Sequence, residues 1–71
     1  MQWKYDTRLN GTLNAIMEYL SKELSDGGKF VSYTKIGREV GRSKQSIRYS
    51  MLKLQRMGYV YFSDDKIHLA I

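Results

Sequence analysis

Lys44, Gln45, Arg48 and Tyr49 are the residues whose types and spacing could do chemistry in this 71-residue chain. They stand at positions i, i+1, i+4 and i+5 of one helical pattern, so they project from one side over the first two turns. Lysine and arginine donate to guanine O6 and N7, glutamine pairs bidentately with adenine, and a tyrosine ring can pack on a thymine methyl or bond a phosphate. Residues 42–57 contain no acid at all. Ordinary exposed helices interleave acids with bases for i,i+4 pairs. A face without them is either a merely solvated surface or one aimed at a polyanion.

The charge distribution favours the polyanion. The net charge is +5. Residues 33–57 hold seven bases (Lys35, Arg38, Arg42, Lys44, Arg48, Lys53 and Arg56) and one acid, Glu39, whereas residues 1–32 balance and residues 58–71 are slightly acidic. A basic charge concentrated in one third of a chain is the electrostatic footprint of a nucleic-acid partner. Other chemistries lack their residues. There is no cysteine and one histidine, His68, so neither a disulfide framework nor a cysteine or histidine metal cluster is available. Paired carboxylates in a cleft, a nucleophile with its base and a phosphate loop are not evident, so we expect no enzyme, no cofactor and no small-molecule ligand. No segment reads as a signal peptide or membrane span, so a cytoplasmic, nucleoid-associated protein is expected.

The elements that must position these residues follow from apolar spacing. Residues 1–8 read as an N-terminal arm and residues 9–71 as one domain. Leu9, Leu13, Ile16, Met17, Leu20 and Leu24 form one amphipathic helical stripe. Asp6 is a candidate N-cap for it, although Gly11 weakens its early part and moves the firm start towards Asn10 or Thr12. The run "SDGG" at 25–28 ends that helix. Phe30 and Val31 read as a short strand. Ser32 caps a second helix, "YTKIGREV", with Val31 and Ile36 as a hydrophobic staple. Its Gly37 implies that a neighbouring helix approaches closely. Gly41 stops it. Ser43 caps the third helix, whose Ile47, Met51 and Leu54 face inward. The segment 59–71 alternates on both sides of Asp64-Asp65 and reads as a hairpin with that pair as its loop. The register sets Val60, Phe62, Ile67 and Leu69 on the inner face and Tyr59, Tyr61 and His68 on the outer.

The staple and cap "VSYTKIGREVG", the turn "GRS", the helix "SIRYSMLKL" and the opening "MGYVYF" together resemble a winged helix-turn-helix domain. They are similar to the DNA-binding domain of LexA-type repressors and more loosely to MarR-type regulators, over residues 9–71. The resemblance implies an α+β fold of three helices with a two- or three-stranded antiparallel sheet. It implies double-stranded DNA as partner, with the helix starting near Lys44 in the major groove. Two departures are local. Lys35 stands where a capping box would have an acid, and the wing loop is short and acidic.

Base reading is thus expected of Lys44, Gln45, Arg48 and Tyr49. Phosphate contacts are expected at the helix ends, where backbone N–H groups attract anions: Tyr33, Thr34 and Lys35 on the second helix, Ser43 and Ser46 on the third, with Arg42 and Lys53 beside them. Lys66 is the wing's one favourable charge. Trp3, Tyr5, Tyr59 and Tyr61, with Leu52, either pack the arm locally or form a homodimer surface. The function expected is a small transcriptional regulator, repressor or activator. Its rivals are a protein-interaction module of a larger assembly and a replication or recombination accessory protein with weak sequence preference.

Overall fold

A computed structural model describes residues 3, 6–9, 11–25 and 27–70. Three helices, α1 (Gly11–Glu23), α2 (Tyr33–Val40) and α3 (Lys44–Arg56), precede two strands, β1 (Val60–Ser63) and β2 (Lys66–Leu69). The architecture is a small α+β domain, with the hairpin following a three-helix cluster.

The inward side of each helix is the one its spacing implies. Leu13, Ile16, Met17 and Leu20 of α1, Ile36 of α2 and Ile47, Met51 and Leu54 of α3 are buried in one core. Burying each such side chain contributes about 1.5–3 kcal/mol. Val60 and Ile67 close the core from the hairpin, and Trp3 and Leu9 close it from the N-terminal side.

Two serines start α2 and α3 in the same way. Ser32 and Ser43 are both extended, and each side-chain oxygen accepts the backbone N–H three residues on, from Lys35 and Ser46, at 3.1 Å. Each cap contributes on the order of 1 kcal/mol. Gly41 ends α2 at φ 72°, a left-handed conformation in which any Cβ is strained. Its neighbour Arg42 donates its N–H to the Gly37 carbonyl at 2.8 Å, and α3 begins two residues later. Gly37 is where the two helices meet. A Cβ there would lie 2.5 Å from the Arg42 carbonyl oxygen and 3.4 Å from the Ile47 side chain. The expected close approach is present, made by the turn and by α3 together.

In the hairpin, Val60 pairs with Leu69, Tyr61 with His68, Phe62 with Ile67 and Ser63 with Lys66. Asp64 and Asp65 form the two-residue loop at φ 53° and 63°. Such positive values at both loop residues belong to the turn whose twist suits a tight hairpin.

Four expectations change. The strand at 30–31 is not formed. A single antiparallel bridge joins Lys29 to Ile67 instead, and Phe30 stands exposed. Three residues between Gly28 and the Ser32 cap leave length for one bridge but not for a ladder. Asp6 does not cap α1, which begins at Gly11, five residues on. Its carboxylate instead accepts the Arg8 N–H and guanidinium and the Tyr59 hydroxyl. Phe62 does not help to seal the core. It is 39% exposed and lines an open depression with Phe30, Val31 and Tyr33, whereas its cross-strand partner Ile67 is buried. Tyr59 is 1% exposed and so does not share an outer face with Tyr61. It precedes β1, where the chain is still turning out of α3, so strand alternation does not govern it.

Candidate nucleic-acid interface

The α3 face opposite Ile47, Met51 and Leu54 carries Lys44, Gln45, Arg48 and Tyr49, and all four are exposed. One shallow depression is lined by Ser43, Lys44, Gln45 and Arg48, and the next by Gln45, Arg48, Tyr49 and Leu52. The four expected base-reading residues therefore form one continuous surface. Core packing fixes the backbone beneath them, since Ile47, between Gln45 and Tyr49 in the chain, is completely buried. No acid lies in the first turn of α3, and Lys53 and Arg56 occupy its last turn. Cations near a helix C-terminus are favoured by the macrodipole, whereas Lys44 at the N-terminus is opposed by it. The helix carries that unfavourable charge at the end where an anion would best be received.

The expected phosphate contacts divide into two groups. Thr34, Lys35, Arg42, Ser43 and Lys53 are exposed. Ser46 is half-buried, and its backbone N–H is taken by the Ser43 cap, as that of Lys35 is by Ser32. Caps therefore use part of the anion-binding capacity of both helix starts. Tyr33 is half-buried, packs against the core and lines a depression with Phe30, Phe62 and the hairpin tip. Arg42 is held by tertiary structure: its Nε donates to Thr12 Oγ1 on α1 at 3.1 Å. Thr12 was not expected at this site, because thirty residues of chain separate it from Arg42 and no periodicity links them.

Around the hairpin the charges point the other way. Asp64, Asp65 and Lys66 are exposed at the tip, two acids to one base. Tyr61 and His68 stack on the outer face, with ring centroids 4.9 Å apart and planes 8° from parallel. A Cβ on Gly28 would collide with the His68 ring, so the imidazole sits over the glycine backbone. His68 is thus a packing residue of the hairpin.

Of the aromatic set proposed as a packing or dimer surface, Trp3 and Tyr59 are buried and take the local-packing role. Tyr61 and Leu52 are exposed, each at 47%, and Tyr5 lies outside the described residues. Asp6 joins the N-terminal segment to the hairpin base. Its Oδ2 accepts the Tyr59 hydroxyl at 2.5 Å and pairs with Arg8 at 2.5 Å. The Arg8 hydrogen bonds, and next that of Tyr59, hold the Asp6 carboxyl well below its ordinary value of 3.8. The same bond, with burial, raises the Tyr59 phenol.

Comparison with protein-family models, curated proteins and solved structures finds no significant match. Among the described residues, no helix is long and apolar enough to cross a membrane.

Proposed function

We propose that this chain is a DNA-binding protein, a small transcriptional regulator of winged helix-turn-helix type that places α3 in the major groove. One observation carries the reading: Lys44, Gln45, Arg48 and Tyr49 are exposed side by side on a buried-backed helix without an acid. A helix fits the major groove, and its early residues meet the base edges while the preceding helix crosses the backbone. The tight α2–α3 connection, closed at Gly37 and Gly41, is the geometry such a pair needs. The order helix, bridge residue, helix, helix, hairpin also suits the winged form, with Lys29 as the remnant of the third strand. The acidic tip at Asp64-Asp65 makes this wing a structural element more than a phosphate contact.

Selection from a random duplex pool tests the reading. A recovered motif supports specific readout, and a palindromic one implies a dimer on two half-sites. Affinity for the selected duplex must fall steeply between low and moderate salt, because each neutralised phosphate releases counterions. Salt-independent binding, or retention of no duplex, would remove the proposal.

A second reading, a protein-interaction module of a larger assembly, is favoured by the exposed Phe30 and Phe62 beside the acidic tip. That surface lies away from α3, so the two roles do not exclude each other.

A further inference from the structure

Leu52 is the residue of α3 that neither the core nor the charge pattern explains. It is 47% exposed, and Tyr49, one helical turn before it, is 67% exposed. A single exposed leucine is ordinary. This one is continuous with a second apolar side chain, and the two share a depression of about 260 Å³ with Gln45 and Arg48. Helical side chains lean towards the N-terminus, so Leu52 covers the turn that carries Arg48 and Tyr49. Its methyl groups therefore belong to the base-reading end of α3.

The charge around this apolar strip selects its occupant. Lys44, Arg48, Lys53 and Arg56 lie on the same helix and no acid does, so the complementary surface is anionic. Duplex DNA is such a surface. Against phosphate an apolar side chain gains nothing. Inside the major groove the base edges present donors, acceptors and one apolar group, the C5 methyl of thymine.

We infer that Leu52 and Tyr49 form a methyl-reading step that selects thymine, adjacent to the Gln45 amide that suits adenine. The inference rests on the placement of α3 in the major groove proposed above. It predicts A·T pairs under the middle of the helix and guanine near Arg48 or Lys44. It also reassigns Leu52 from a dimer surface to sequence readout.

The test uses the full chain and one selected duplex prepared with thymine or, position by position, with uracil, which lacks the methyl. Replacement at one or two positions should weaken binding about fourfold, the factor that burying one such group supplies. Leu52→Ala should bind the thymine duplex more weakly and lose most of the thymine–uracil difference. Leu52 is exposed, so the variant should fold, which circular dichroism checks. Unchanged affinity for every uracil substitution would overturn the methyl step while leaving DNA reading intact. A Leu52→Ala variant that keeps the full thymine preference but sediments as a smaller species would overturn it in favour of a contact between copies. Failure to retain any duplex would overturn both this step and the proposal beneath it.

Discussion

The outer face of α3 and the tip of the hairpin are both exposed, and they are opposite in charge and construction. The α3 face has bases and no acid on a helix whose other side is completely buried. The tip has Asp64 and Asp65 in a two-residue turn, with Phe62 and Phe30 uncovered beside it. In the first, a rigid core leaves charge pointing outward. In the second, a tight turn carries the acids, and two apolar side chains beside it stay exposed. The contrast places the proposed readout on the helix and leaves the hairpin with support.

The largest effect should come from removing the support under α3. Gly37→Ala puts a methyl group against the Arg42 carbonyl, and a backbone atom cannot swing aside. We expect a loss of about 1–3 kcal/mol of stability in urea titration. Total stability at this length is of order 4–10 kcal/mol, so DNA binding should suffer as well. An unchanged midpoint would show that the turn relaxes and that the α2–α3 approach is not a constraint.

Arg48→Ala should separate readout from folding. The residue is exposed, so stability should stay within about 0.5 kcal/mol. Binding to the selected site should weaken by about 1–3 kcal/mol with preference relaxed at one base. Lys53→Ala should instead weaken all sequences alike and lower the salt slope by about one. An unaltered motif for Arg48→Ala would move the base reading elsewhere.

The base of the hairpin gives a pH-dependent test. The folded state lowers the Asp6 pKa, so it favours the charged carboxylate. That contribution is complete above the ordinary value of 3.8 and is lost as pH falls through the lower folded value. Thermal midpoints should drop between pH 5 and pH 2, and Asp6→Asn should flatten part of that drop. Equal acid sensitivity of the two proteins would mean that the Arg8 pairing and the Tyr59 bond together contribute little.

The smallest effect is expected at the tip. The double variant Asp64→Asn, Asp65→Gly removes two negative charges and supplies the residues preferred in this turn. Stability should rise by a few tenths of a kcal/mol, and DNA affinity should rise slightly. A loss of affinity would show that these carboxylates meet a cation in the complex and that the hairpin is more than a support.

Much of this molecule was readable locally. The three helices, both serine caps, the Gly41 stop, the inward Ile47, Met51 and Leu54, and the hairpin register all depend on spacing and on residues a few positions apart. The outward direction of Lys44, Gln45, Arg48 and Tyr49 follows from the same spacing. Alternation misplaced Phe62 and Tyr59, and the strand at 30–31 and the Asp6 cap of α1 did not form. Phe62 has the inner-face position but stays 39% exposed, and Tyr59 is buried in the turn before alternation begins.

By itself the sequence determined where the charge lies, which residues the helices expose and where the chain turns, because period, glycine and capping chemistry act over a few residues. Only the tertiary structure decided the partners that are distant in the chain. It sends Asp6 to Tyr59 across fifty-three positions and Arg42 to Thr12 across thirty. It also buries Trp3 and leaves a bridge at Lys29 where a strand was expected. Those outcomes depend on how three helices and a hairpin close around one small core, and no local rule contains that packing.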